Sequence, residues 1–134
     1  MKKEPLVSVI IPNYNHALFL EKRIESVLNQ TFQDFEIILL DDHSTDASKN
    51  ILEDYQQNSK VSTLIINSEN SGSPFKQWFK GINEAKGKFV WIAESDDYSD
   101  EDFLKITMNR FDDDKDLDVV FTGTLNVDED GKSL

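Results

Sequence analysis

The sequence predicts an α/β sandwich, a mostly parallel sheet with helices on both faces. Three observations predict it. Short β-branched runs alternate with stretches of helical period along nearly all of the 134 residues. The connections between them are short and carry Gly, Pro, Asn, Asp and Ser. No linker or low-complexity stretch interrupts the series, and 38% hydrophobic residues are enough for one core, so residues 1–134 read as one domain.

Leu6-Val7-Ser8-Val9-Ile10-Ile11 is a β-branched run closed by Pro12, the pattern of a strand buried on both faces. Ala17, Leu20, Ile24, Val27 and Leu28 then recur every three or four residues, an apolar helical face opposite Glu21, Lys22, Arg23 and Glu25. Phe35 to Leu40 reads as a second buried strand. Ala47, Ile51, Leu52 and Tyr55 form the inner face of a second helix, capped near Ser44 to Asp46. Val61 to Ile66 is a third strand. Ser73 as N-cap and Pro74 at the first helical position open a third helix, with Phe75, Trp78, Phe79, Ile82 and Ala85 as its core face and Gly87 ending it. Phe89 to Ala93 is a fourth strand, Leu104, Met108 and Phe111 mark a fourth helix, and Asp118 to Thr122 reads as a fifth strand.

In sheets of this kind ligands bind at the carboxyl ends of the strands, where helix N-termini converge. That edge carries Pro12-Asn13-Tyr14-Asn15, Asp41-Asp42-His43-Ser44, Asn67 to Gly72, and Glu94-Ser95-Asp96-Asp97. Strand alternation would send Glu94 and Asp96 to one side and Ser95 to the other. Two carboxylates sharing a face repel unless a cation sits between them, and Mg²⁺ or Mn²⁺ takes one or two carboxylates plus phosphate oxygens. The competing reading is a solvated loop that opens the next helix, with Asp100, Glu101 and Asp102 favouring its dipole. Asp42 reads either as an acceptor for a base or ribose edge or as a loop cap. His16 and His43, with no nucleophile nearby in sequence, read as structural or solvated.

Composition narrows the partners. A net charge of -12 excludes nucleic acid and opposes anionic lipid, which are held by clustered Lys and Arg. A phosphorylated small molecule needs a cation or a well-placed Lys beside it. The absence of cysteine removes disulfides and thiol chemistry. The longest apolar run falls far short of the roughly 20 residues of a bilayer crossing, and the first residues lack the apolar core of a signal peptide, so a cytoplasmic location is expected. Peripheral membrane association is left open. EF-hand frames from Asp96 or Asp112 place Glu101 or Leu117 where Gly is required, and neither a dinucleotide nor a P-loop glycine motif occurs.

Taken together, Val7 to Asn15, Ser26 to Phe32, Asp41 to Asp46, Asn70-Ser71-Gly72 and Ala85 to Asp97 resemble, in order and spacing, the family-2 inverting glycosyltransferases. The resemblance runs from Pro5 to about Thr124. It implies the Rossmann-like GT-A fold with an incomplete C-terminal half, and transfer of a sugar from a nucleoside diphosphate, UDP favoured, to a saccharide or other hydroxyl acceptor. Mn²⁺ or Mg²⁺ would stabilise the departing diphosphate, and a carboxylate base would activate the acceptor. Carried over, Pro12 and Tyr14 line the base pocket, Asp42 accepts from the uracil ring, and Lys76 contacts base or phosphates. Asp96 is the metal ligand. Glu94, in the first acidic position of the Asp-x-Asp motif, contacts ribose or metal, and Ser95 joins the nucleotide-binding set. His43 stands where the family often has Gly or Asn, and the loop after Gly72 is one residue longer than usual. The family's base lies beyond Leu134, so this chain alone is expected to bind donor without transferring sugar, and the edge of its fifth strand is expected to pair with another copy. A nucleotide-binding or assembly module without transfer is the alternative. A phosphoacceptor signalling domain ranks last, because it would place its acidic pair after strand one.

Overall fold

The computed structural model describes residues 3–134. Strands β1 (Val7–Asn13), β2 (Phe35–Asp41), β3 (Val61–Ile66) and β4 (Phe89–Ile92) alternate with helices α1 (Ala17–Leu28), α2 (Ser48–Tyr55), α3 (Pro74–Glu84) and α4 (Phe103–Asp113). The sheet order is β3-β2-β1-β4, and every pairing is parallel. Strand order therefore reverses at β1, the topological switch point where such sheets open a crevice.

Alternate residues of each strand feed two cores. Val7, Val9, Ile11, Ile37 and Leu39 pack with Leu20, Ile24, Val27, Leu52, Leu104 and Met108, so α1, α2 and α4 cover one face. Ile10, Ile38 and Leu40, with Ile65, Ala85 and Ile92, form a smaller cluster beneath α3. Phe89 on Phe111 and Trp91 on Phe103, with ring centroids 4.5 and 4.4 Å apart, fasten α4 to β4. The α/β class with helices on both faces is as the sequence predicts.

Four local expectations fail. Pro12 does not close β1, which continues to Asn13. Backbone groups alternate between the two neighbouring strands: Asn13 carbonyl accepts Asp42 N–H on the β2 side, and Ile10 carbonyl accepts Ala93 N–H on the β4 side. Pro12 thus faces β4, whose pairing ends at Ile10. Its missing N–H costs no ladder bond, and the two strands part beyond it.

α3 is rotated from the face its period predicts. Gln77 and Gly81 are buried, whereas Phe75, Phe79 and Ile82 are exposed, Phe79 at 69%. Gln77 is drawn inward by a 3.0 Å bond to Asp42, and Trp78 by a 2.7 Å bond to Glu94. Gly81 then allows close approach, since a Cβ there would lie 2.4 Å from Ile10 Cγ2. Polar bonds to two strand-end carboxylates thereby override hydrophobic period. Arg23, expected on the solvent face of α1, is only 4% exposed.

The fifth strand is absent. Residues 118–124 are irregular, with Phe121 87% exposed, because no face of the described residues covers the apolar run Val119-Val120-Phe121. The expected route to self-association through that edge loses its basis, and the open edges of the sheet are β3 and β4.

The turn from α3 into β4 is latched to the sheet from below. Buried Ser8 Oγ accepts Gly87 N–H at 2.8 Å, and Glu36 Oε1 accepts Lys86 N–H at 2.9 Å. A Cβ on Gly87 would stand 2.6 Å from Ser8 N and 2.7 Å from Val7 C, backbone atoms that cannot rotate away. Gly87→Ala is expected to destabilise by about 1–3 kcal/mol, the usual cost of overpacking, and to lower the melting temperature by roughly 3–10 °C. Gly123→Ala, whose Cβ meets nothing within 4 Å, should melt with the parent in the same thermal scan.

Candidate functional site

Where β1 and β4 separate, a cleft of about 380 Å³ opens at the carboxyl edge of the sheet. Pro12, Asn13, Tyr14 and His16 line it from the end of β1 and the loop after it, Asp42 from just beyond β2, Asn70, Gly72, Ser73, Pro74 and Gln77 from the α3 entrance, and Glu94 and Ser95 from beyond β4. The N-terminus of α3 points into it, a favourable end for an anion.

The acidic pair after β2 divides its work. Asp41 caps its own loop, accepting Ser44 N–H at 2.8 Å, Ser44 Oγ at 2.6 Å and Asn13 Nδ2 at 2.9 Å. Asp42, only 5% exposed, is held instead by the segment before α3. Its Oδ1 accepts Asn67 Nδ2 at 2.7 Å, Ser71 N–H at 2.9 Å and Gln77 Nε2 at 3.0 Å, while Oδ2 accepts Ser71 Oγ at 2.8 Å. Oδ1 is saturated, and Oδ2 keeps acceptor capacity at the cleft wall. Asp41 thus caps the loop that follows β2, whereas Asp42 fastens the loop that leads into α3. His43 has φ 65°, the left-handed conformation that explains why Gly or Asn suits this position.

The far wall is a turn, not a strand. β4 ends at Ile92 and Asp97 N–H bonds Glu94 carbonyl at 3.2 Å, so strand alternation no longer places Glu94 and Asp96 together. Glu94 turns inward, its Oε1 accepting Trp78 Nε1. Burial, with the charges of Asp96 and Asp97 adding to it, raises its carboxyl above the ordinary range against the opposing Trp78 bond. Asp96 is exposed and does not line the cleft wall itself. Buried Ser95 meets His16 Nδ1 at 2.8 Å, a bridge between the loop after β1 and the loop after β4.

Pro12, Tyr14, Asp42, Glu94 and Ser95 thus converge on one cleft. Lys76 does not: its Nζ donates to Ser71 carbonyl at 3.0 Å on the outside of α3. The reason is geometric, since successive helical residues point about 100° apart and Gln77 takes the inward direction. His16, Asn13, Asn70 and Gln77 were not legible as site residues. Asn13 and Asn70 had a faint signal in lying on the carboxyl edge, but His16 and Gln77 are ordinary polar residues that only the fold gathers.

No group of three or more His, Cys, Asp or Glu that could hold a metal ion occurs among the described residues. What the turn offers is the pair Asp96 and Glu94 with Asp97 beside them, and no ion pair among the described residues engages them. One or two carboxylate oxygens, the remaining positions left to water and phosphate, is a donor set that fits Mg²⁺ or Mn²⁺.

The family described as Glycosyl transferase family 2 matches residues 8–133. Glycosyltransferase GlyG of Streptococcus pneumoniae serotype 4 is 38% identical over 125 residues, covering 92% of this chain and 40% of that protein. Chondroitin synthase of Escherichia coli is 31% identical over 135 residues, 100% of this chain and 19% of its own length. Among solved structures, residues 1–349 of S. aureus TarS in complex with UDP-GlcNAc superpose with a TM-score of 0.73 at 33% identity, covering 80% of this chain and 31% of that one. The chain therefore spans well under half the length of these relatives.

Proposed function

Because the chain belongs to glycosyltransferase family 2 and has its GT-A fold, we propose that the cleft holds the nucleoside diphosphate of a sugar donor, a UDP-sugar in preference to others. The active enzyme then transfers the sugar with inversion to a hydroxyl of a saccharide acceptor, with Mn²⁺ or Mg²⁺ required. The observation that carries this reading is Asp42. A buried carboxylate fixed by four donors, with acceptor capacity left on Oδ2 toward the cleft, suits a base that presents one N–H between carbonyls.

Pro12 and half-exposed Tyr14 supply apolar walls for the base. The α3 N-terminus, beyond Gly72, favours the diphosphate. Asp96, with Glu94, would hold the divalent cation, which when bound offsets charge on the departing diphosphate. Ser95 and His16 keep the two lips of the cleft in register. Similarity to TarS, whose complex contains UDP-GlcNAc, supports a uridine nucleotide.

A second reading, a nucleotide-binding module without transfer of its own, is favoured by the placement of the acidic residues before α4. Asp102 accepts Thr31 Oγ1 at 2.6 Å and Asp100 accepts Asp102 N–H, so neither is turned to the cleft as a base. Calorimetric titration with UDP, GDP and dTDP sugars, each with Mn²⁺ and with chelator, tests the donor reading. The expected result is metal-dependent binding of the UDP-sugar, and equal affinity for all three nucleotides would remove it. Release of UDP from UDP-sugar at high protein concentration separates the two readings: turnover supports a base within these residues, and binding without turnover supports the module.

A further inference from the structure

Arg23 lies on the helix face that sequence period assigns to solvent, yet it is buried beneath the turn that follows β4. Its Nε donates to Glu94 carbonyl at 2.7 Å. Its guanidinium lies 5.6 Å from the centroid of the Trp91 ring, and Trp91 in turn stacks on Phe103. Nη1 is buried with no partner. No ion pair among the described residues reaches this cation, although Asp97, Asp96 and Glu94 are the carboxylates that act on it. A buried unpaired charge is costly, and a guanidinium carries that cost only where its charge or its fork is used.

We infer that Arg23 is a positioning residue for the Glu94–Asp97 turn: its Nε fixes the Glu94 carbonyl, and its charge offsets the repulsion among the turn's carboxylates at the mouth of the cleft. Two features point the same way. The turn is short of internal fastening, its one backbone bond being Asp97 N–H to Glu94 carbonyl, the same oxygen that Arg23 holds. None of the three carboxylates is in an ion pair among the described residues, and all three act on the Arg23 guanidinium, whose charge offsets their mutual repulsion. Lysine could keep the charge but could not keep both the carbonyl bond and the guanidinium's place over the Trp91 ring. The effect on cation binding rests on the donor reading above, whereas the effect on the turn stands without it.

The test uses Arg23→Lys and Arg23→Met with two measurements. Amide hydrogen exchange reads the turn directly, with no ligand present. Both variants should exchange faster at residues 94–98 by about tenfold, with β1 and β2 unchanged. Titration of UDP with and without Mn²⁺ reads the consequence. The gain in UDP affinity that Mn²⁺ gives the parent should fall about tenfold in Arg23→Met, with affinity in chelator held within about twofold, and Arg23→Lys should recover part of the loss. Loss of a residue that orients metal ligands typically costs 10–100-fold. Should Arg23→Met fail to fold, Arg23→Lys carries both measurements. Unchanged exchange in the turn overturns the inference, as does an equal loss of UDP affinity with and without Mn²⁺, which would make Arg23 a packing residue only. A parent that gains nothing from Mn²⁺ overturns the metal reading instead, and the exchange result then decides the inference alone.

Discussion

Asp42→Ala is expected to lower folding stability by about 2–4 kcal/mol and to weaken UDP binding by roughly 1–3 kcal/mol, while leaving a folded protein. The first figure follows from what the side chain holds. Asn67 Nδ2, Ser71 N–H and Gln77 Nε2 all converge on Oδ1 and Ser71 Oγ on Oδ2. Hydrogen bonds to an ionised group are worth about 1.5–3 kcal/mol each, and a buried donor left without an acceptor costs about 1–3 kcal/mol. The sum is reduced because water can enter from the cleft once the carboxylate is gone. The second figure reflects the acceptor capacity of Oδ2. The two effects separate with Asp42→Asn, which keeps the shape but places an NH₂ against donors: its flip settles whether Oδ1 or Oδ2 keeps an oxygen. A thermal scan with calorimetric titration checks both figures. If either variant binds UDP as tightly as the parent, Asp42 is a structural hub and the base lies elsewhere.

Period and composition made the order of elements legible because most of the core is ordinary. β1 and β2 are buried on both faces and read as continuous apolar runs, and Leu20, Ile24 and Val27 face the core as their spacing predicts. What failed has a common cause. α3 takes its orientation from Gln77 and Trp78 bonding to Asp42 and Glu94, and such bonds leave no periodic trace. Arg23 is buried by a carbonyl 71 residues away in sequence. The segment from Asp118 has a strand's short β-branched and aromatic run, but a strand needs a neighbour, and such a run alone does not supply one. At the site, the residues at strand ends were legible because topology fixes where strand ends meet. Lys76 and the placing of Asp96 depended on the phase of a helix and of a turn, which one sequence leaves open.

Asp96→Asn is expected to remove the metal dependence of UDP binding with almost no effect on the unliganded fold, the reverse of the balance at Asp42. Asp96 is exposed in the turn and in no ion pair among the described residues, and substitutions at such positions usually change stability by less than about 0.5 kcal/mol. In the presence of chelator, the variant should bind UDP as the parent does or slightly better, because one of the charges that repel a diphosphate from the Glu94–Asp97 turn is gone. With Mn²⁺ the two should part. A ligand at 100 times its dissociation constant stabilises by about 2.7 kcal/mol, so the parent should melt several degrees higher with UDP and Mn²⁺ than with UDP and chelator, and Asp96→Asn should show a single melting temperature in both. The comparison also reports on Glu94. Its carboxyl is half-buried and committed to Trp78 Nε1, which leaves one oxygen for a cation. If Asp96→Asn keeps the full Mn²⁺ shift and Glu94→Gln loses it, the cation rests on Glu94. If neither variant changes the shift, the cation is held by the diphosphate and not by this turn.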